Sequence, residues 1–220
     1  MKPSIERTLA LVGLLAGSPF LALAAIGIKG SSPGPVFYRA DRAGTGGVPF
    51  TMLKLRTMHA DSGASGRITS AADPRVFALG HLLRRCKLDE VPQLVNVVRG
   101  EMALVGPRPE DISIVRDHYD EMMWGSLAVR PGMTSPGSLH FFADEVALPD
   151  NAAEAELVYL STLLPYKIAL DLVYVRSRTW RYDLQIIART LLGIVGVDSF
   201  FKQTVRREER EARRILQEAQ

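Results

Sequence analysis

The sequence holds a single cysteine, Cys86, in 220 residues. No intramolecular disulfide can form, and a reducing compartment is the simpler setting. Four histidines, His59, His81, His118 and His140, stand singly; without a His-x-x-x-His or Cys-x-x-Cys pair, no zinc site is expected. An excess of one charge is also lacking, since 27 Lys and Arg face 24 Asp and Glu, a net +3. That balance gives no ground for nucleic-acid binding, although a mild basic surplus suits anionic lipid or a phosphate pocket. There is no internal repeat. The length suits one compact domain plus a membrane element.

What the sequence does have is an uneven spread of apolar residues. Thr8 to Ile28 is a run of 21 residues without a charge, near the length that crosses the ~30 Å hydrocarbon core. Its apolar core is longer than a signal peptide's. Gly17, Ser18 and Pro19 interrupt the run at its middle. Proline removes a backbone donor and clashes with the preceding turn, so a break is expected there, with the serine hydroxyl free to satisfy a released carbonyl. Lys2 and Arg7 lie before the run, and Lys29, Arg39 and Arg42 after it. Positive residues mark the cytoplasmic side, and here they mark both ends. A helix-break-helix returning to one face and a kinked spanning helix both remain open on these features.

Val36 to Thr57 reads as a β-hairpin turning at Gly44-Thr45-Gly46-Gly47, which lacks the spacing of a phosphate loop. A polar Ser/Gly/Ala-rich loop is expected from His59 to Asp73. Helices are expected over Phe77–Lys87, over Glu90–Val98 with a stop at Gly100, and over Asp111–Leu127. Gly106-Pro107-Arg108-Pro109 reads as a rigid loop, and another is expected from Arg130 to about Asp150. Val158–Val175 and Leu184–Val197 suit either interfacial helices or core helices. Lys202–Gln220 reads as a solvated, charged helix.

The chemistry concentrates in Leu83-Arg84-Arg85-Cys86-Lys87-Leu88-Asp89-Glu90-Val91-Pro92-Gln93-Leu94. Asp89 and Glu90 are adjacent acids following three cations. Asp89 is expected near a helix N-cap, where capping alone would explain it. The competing reading is catalytic. Lys54, Arg56, Arg84, Arg85, Arg108 and Arg130 supply cations, several beside Pro or Gly in rigid segments. Arginine forks match phosphate oxygens, and two acids able to hold Mg²⁺ beside such cations outline a diphosphate site.

These motifs resemble the bacterial sugar transferase family, the small monotopic phosphoglycosyl transferases. The resemblance is carried by Ser18-Pro19, Lys54-Leu55-Arg56-Thr57-Met58, Leu88-Asp89-Glu90-Val91-Pro92-Gln93-Leu94, Gly106-Pro107-Arg108-Pro109, Arg130-Pro131-Gly132-Met133-Thr134 and Leu170-Asp171-Leu172-Val173-Tyr174-Val175. It implies an α+β, mostly helical monotopic protein. Residues 1–30 would form the re-entrant helix broken at Ser18-Pro19, 31–201 a cytoplasmic catalytic domain with interfacial helices, and 202–220 a charged tail.

The resemblance also implies Asp89 as nucleophile and Glu90 as Mg²⁺-binding partner. A phosphosugar would pass from a UDP-sugar to polyprenyl (undecaprenyl) phosphate at the bacterial cytoplasmic membrane, with homodimerisation left open. Ser135-Pro136-Gly137-Ser138-Leu139-His140 departs from the family pattern, which usually continues with Gly and an Ala-Gln-Val-like run. The alternative from another class is a membrane scaffold binding anionic lipid, with the dyad only capping a helix.

Overall fold

The computed structural model describes residues 1–60, 73–143, 149, 151–194 and 202–219. Most of the loop expected between His59 and Asp73 therefore lies outside the described residues, as does the end of the segment expected to stop at Val197.

The apolar run becomes α1, Pro3–Ser31. The helix is continuous rather than split in two. Pro19 sits inside it, and the Ser18 hydroxyl donates to the Leu15 carbonyl at 2.8 Å. That carbonyl is the one proline leaves without a backbone donor, so the disruption stays local. At 29 residues the helix is about 43 Å long, more than the hydrocarbon thickness.

One face of α1 is covered along its whole length. Ala10 packs with Ala40, Met52, Val97 and Met102, while Ala24 and Ile28 pack with Leu55, Phe77 and Leu83. Between them, Gly13 and Gly17 let the Leu94 and Val91 side chains come close. The opposite face leaves Leu11, Val12, Leu15, Phe20, Leu23 and Ile26 at least half exposed. No water-soluble packing explains so much apolar surface on one stripe.

The hairpin forms as expected, with β1 (Phe37–Ala43) antiparallel to β2 (Pro49–Leu55) across a 3₁₀ turn at Thr45–Gly47. Its outer edge is closed by the fully buried Asn96 of α3 (Gln93–Arg99), which accepts from Leu53 N–H at 3.1 Å and donates to Thr51 O at 2.8 Å. α2 (Ala78–Arg85) packs beside α1, and Gly100 at φ 85° ends α3 as expected.

Two expectations of the middle region are corrected. The segment 111–127 is not one helix: α4 (Ile112–His118) and α5 (Glu121–Trp124) each start at their own aspartate cap, Asp111 and Asp120, and a 3₁₀ turn, Gly125–Ala128, follows. A second capping acid within the run restarts the helix. The stretch after Arg130 is not irregular as far as Ala143, and 144–148 and 150 lie outside the described residues. β4 (Gly132–Thr134) pairs in parallel with β3 (Ala103–Val105), and α6 spans Pro136–Ala143.

This small parallel pair is tight at its end. A Cβ on Gly132 would lie 2.1 Å from the Gly106 nitrogen and 2.6 Å from its Cα. Gly132→Ala is expected to lower stability by about 2–4 kcal/mol and to displace the Gly106–Pro109 loop; a thermal melt with a parallel activity assay checks both.

The C-terminal half forms α7 (Ala152–Val158), a π-helical turn (Tyr159–Leu163), α8 (Leu164–Ser177), α9 (Trp180–Ile194) and α10 (Lys202–Glu218). α8 is interior rather than interfacial: Leu164, Ile168, Ala169, Leu170 and Leu172 form the main core with Ala212 and Ile215 of α10. Ala153–Ser177 has the length and hydropathy of a membrane span, yet much of it is buried within the protein. Nor is α10 simply solvated. Glu208 is buried and accepts from Arg189 and from Tyr182, each at 2.6 Å. Its i,i+4 charge pairs read as surface because the apolar inward positions of this strongly polar helix, Ala212, Ile215 and Leu216, are few. α9 keeps Trp180, Leu184 and Leu191 exposed, an open apolar face.

Candidate active site

The dyad lies in a 3₁₀ turn, Leu88–Glu90, between α2 and α3. Lys87 turns the chain into it with φ 57° and ψ 18°, the left-handed region, which a side chain bearing Cβ enters at a cost of about 1 kcal/mol or more. Asp89 is not a cap. α3 has Pro92 in that place with no side-chain hydrogen bond, so the capping explanation fails on geometry. Asp89 is only 6% exposed, and its Oδ1 is buried without a hydrogen-bond partner among the described residues. A buried acceptor left unpaired costs about 1–3 kcal/mol, and such orphans concentrate at functional sites.

Glu90 is held differently. Arg108 Nη2 donates to its Oε1 at 2.6 Å and Lys54 Nζ approaches the same oxygen at 3.3 Å. Electrostatics separates the two acids. Burial, then the charge of Glu90, pushes the Asp89 carboxyl up, and Lys54, Lys87 and Arg84 offset this only in part. For Glu90 burial also pushes upward, but Arg108 and then Lys54 outweigh it and hold the carboxyl far below the usual range. One acid is locked as a paired anion and the other is an unpaired, high-energy carboxylate.

Beside the dyad is a cleft of about 330 Å³ lined by Arg42, Met52, Lys54, Arg108, Glu110, Tyr159 and Lys167, among others. Strand alternation places Arg42, Met52 and Lys54 on one hairpin face. Glu110 is the counter-charge on the far wall: Tyr159 donates to it at 2.7 Å, Lys167 lies at 3.4 Å and Arg42 at 3.7 Å. Burial raises the Tyr159 hydroxyl to about 12. The Arg42 Nε is buried without a partner among the described residues. Four cations thus meet one small opening, and two of them, Lys54 and Arg108, also contact Glu90, an arrangement suited to a ligand carrying several phosphate oxygens.

The cations named from the sequence divide. Lys54 and Arg108 meet at Glu90. Arg84 donates to the Thr57 hydroxyl at 2.9 Å and adds positive potential at Asp89. Arg85 is exposed on α2. Arg56 is a structural tie, buried and donating to Pro35 O at 2.6 Å and to the Ser32 carbonyl at 2.7 Å. Arg130 is another, donating to Met102 O at 2.9 Å and paired with Glu6 of α1. It lines a larger cavity of about 470 Å³ near the start of α1, whose lining includes none of the cations that contact Glu90.

Arg42, Glu110, Tyr159 and Lys167 were not singled out from the sequence. They come from three separate segments, and only the i,i+4 spacing of Lys167 and Asp171 on α8 hinted at a shared face.

Asp171 is fully enclosed, and burial raises it to about 6 against offsetting hydrogen bonds from Ser135, Gly137 and Arg108. A folded value above the unfolded one means that the native state holds the proton more tightly. This group's contribution to stability is then complete below about pH 4 and is lost as pH rises through 6. Between pH 5 and 7 the wild type should lose about 1 kcal/mol relative to Asp171→Asn, read from denaturant melts of both proteins at the two pH values; parallel pH profiles would refute the assignment.

Among the described residues, no group of three or more His, Cys, Asp or Glu side chains forms a metal cage. Mg²⁺ does not require one. It is commonly held by one or two carboxylates with water and substrate phosphates, and the open Oδ1 of Asp89 beside Glu90 fits that donor set.

The model of the bacterial sugar transferase family matches residues 1–196. The chain belongs to this family. It is 36% identical over 189 residues to a protein of Caulobacter vibrioides named UDP-glucose:undecaprenyl-phosphate glucose-1-phosphate transferase, covering 84% of this chain and 66% of that one. An Escherichia coli protein of the same name is 33% identical over 197 residues, 87% of this chain and 39% of the relative. The exopolysaccharide production protein ExoY of Rhizobium meliloti is 32% identical over 212 residues, 88% and 84% of the two chains. The chain spans between about a third and two thirds of the length of the glucose-1-phosphate transferases it matches. The family match takes in the dyad, the cleft and Asp171. α10 lies beyond it.

Proposed function

We propose that this protein is a phosphoglycosyl transferase that moves a phosphosugar from a UDP-sugar to polyprenyl phosphate through a covalent intermediate on Asp89. The observation that carries the reading is the unpaired Asp89 carboxylate set against a Glu90 clamped by Lys54 and Arg108. The names of its relatives supply the substrate classes.

The geometry suggests how the chain's own residues would act. Asp89 is poised to attack with Oδ1, which forms a bond to the sugar-bearing phosphorus while the bond from that phosphorus to the bridging oxygen breaks and UMP leaves. Splitting the transfer in two lets one small site serve a soluble donor and a lipid acceptor in turn. A polyprenyl phosphate oxygen then forms the new bond to phosphorus, and the Asp89–phosphorus bond breaks, which returns the carboxylate. Arg108 and Lys54 hold Glu90 ionised and place positive charge where phosphoryl oxygens gather it. Asp89 and Glu90 would hold Mg²⁺, which when bound supplies charge neutralisation at the transferring group.

We also infer that α1 enters the membrane and stays with one face rather than crossing. Support comes from the packing: both halves of the helix lie against the same globular body, so neither end is free to reach the opposite side. Cysteine pairs at Lys2 and Lys29 should both be labelled from the cytoplasmic side in inverted vesicles, and labelling of one end only would refute this topology.

The activity is tested by incubating the full chain with polyprenyl phosphate, Mg²⁺ and a panel of UDP-sugars and measuring UMP. At least one sugar should give lipid-dependent turnover. The absence of UMP release from the whole panel, in protein that folds and binds membranes, would contradict the proposal.

A further inference from the structure

The Leu170-Asp171 motif has no part in the chemistry above, yet Asp171 is 2% exposed in the centre of the molecule. Among the described residues, no cation contacts its carboxylate within ion-pair distance. Oδ2 accepts the backbone N–H of Arg108 at 3.1 Å and Oδ1 accepts that of Gly137 at 2.8 Å, and the nearby Ser135 hydroxyl favours the charged form. A carboxylate enclosed with only neutral donors is expensive to keep. An apolar residue would fill the core at less cost.

The two ends it holds are informative. One is the backbone of the residue whose guanidinium clamps Glu90. The other is the turn at Ser135–Gly137, which leads from β4 into α6. The approach there is close: a Cβ on Gly137 would sit 2.5 Å from the Lys167 carbonyl and 2.7 Å from Asp171 Oδ1, so only glycine fits. One turn earlier on α8, Lys167 approaches Glu110 at 3.4 Å. α8 therefore grips the loop after β3 at two points, Arg108 and Glu110.

We propose that Asp171 is a positioning residue of the transfer reaction, fixing the Arg108 backbone with one oxygen and the Ser135–Gly137 turn with the other. It thereby sets the reach of the Arg108 guanidinium to Glu90 and couples that turn to the dyad. The proposal rests on the dyad reading given above. Asparagine in place of Asp171 keeps the volume but has one acceptor oxygen and one amide, which faces an N–H donor. It must release either Arg108 or Gly137. A misplacement of about 1 Å in such a support can cost on the order of 100-fold in rate.

The test is a double-mutant cycle in kcat per active site, with the full chain in lipid nanodiscs and active sites counted by the amplitude of UMP release. Asp171→Asn should lower kcat about 30-fold or more, with KM for the UDP-sugar changed by less than about threefold. In an Arg108→Ala background the same substitution should lower kcat by no more than about threefold, because the group it positions is gone. Ser135→Ala, which removes a single hydroxyl donor, should show a smaller loss that also vanishes in that background, and it serves if the Asn variant fails to fold. Losses that multiply with Arg108→Ala, or an unchanged kcat, would overturn the assignment. If Asp89→Asn keeps full activity, the dyad reading fails instead, which the cycle alone would not produce.

Discussion

Asp89→Asn is expected to abolish turnover while leaving the protein at least as stable as the wild type. The two effects share one cause. Asp89 is buried, its Oδ1 has no partner among the described residues, and the negative charge of Glu90 lies beside it. A carboxylate so placed is costly to ionise, and a neutral amide removes that cost. A gain of roughly 1 kcal/mol is expected, typical of sites where function opposes stability. Rate should fall at least 10³-fold, since an amide neither attacks phosphorus nor leaves from it. Calorimetry paired with a UMP assay reads both quantities. A capping aspartate would give the reverse, a loss of about 1 kcal/mol with activity retained.

Arg108→Ala is the second large effect. The guanidinium makes the shortest contact to Glu90, 2.6 Å against 3.3 Å for Lys54. Its removal leaves a buried carboxylate with one more distant cation and takes positive charge away from the cleft. kcat/KM should drop about 10²- to 10³-fold. The Glu90 carboxyl, now held below its usual range by Arg108 first and Lys54 second, should move upward. An acidic limb absent from the wild-type rate profile near neutrality should then appear at higher pH in the variant. Lys54→Ala should do less, because its contact with Glu90 is longer.

Much of this site was legible in the sequence, for identifiable reasons. The hairpin, α2, α3 and the glycine stop at Gly100 follow from local periodicity and punctuation. The dyad and Arg108 announce themselves as charges beside prolines. What local reading misses is set by distance along the chain. Arg56 and Arg130 have the composition of ligand-binding arginines, but backbone carbonyls of Ser32, Pro35 and Met102 claim them, and those acceptors are remote or hidden in turns. The β3–β4 pair depends on a glycine–glycine approach between Gly106 and Gly132, which no propensity reports. Lys167 and Asp171 stand in a segment that the sequence left open between an interfacial and a core helix. They are the inward face of a core helix, because the loop after β3 brings its own polar groups to meet them.

The proposed chemistry comes down to a covalent bond between one side chain and phosphorus. Its most direct measurement is peptide mass spectrometry of the full chain quenched with acid after exposure to a UDP-sugar without lipid acceptor. A phosphosugar adduct should map to Asp89 and disappear when polyprenyl phosphate is added. UMP release that depends strictly on the lipid, with Asp89 unmodified throughout, would show a direct transfer and contradict the account.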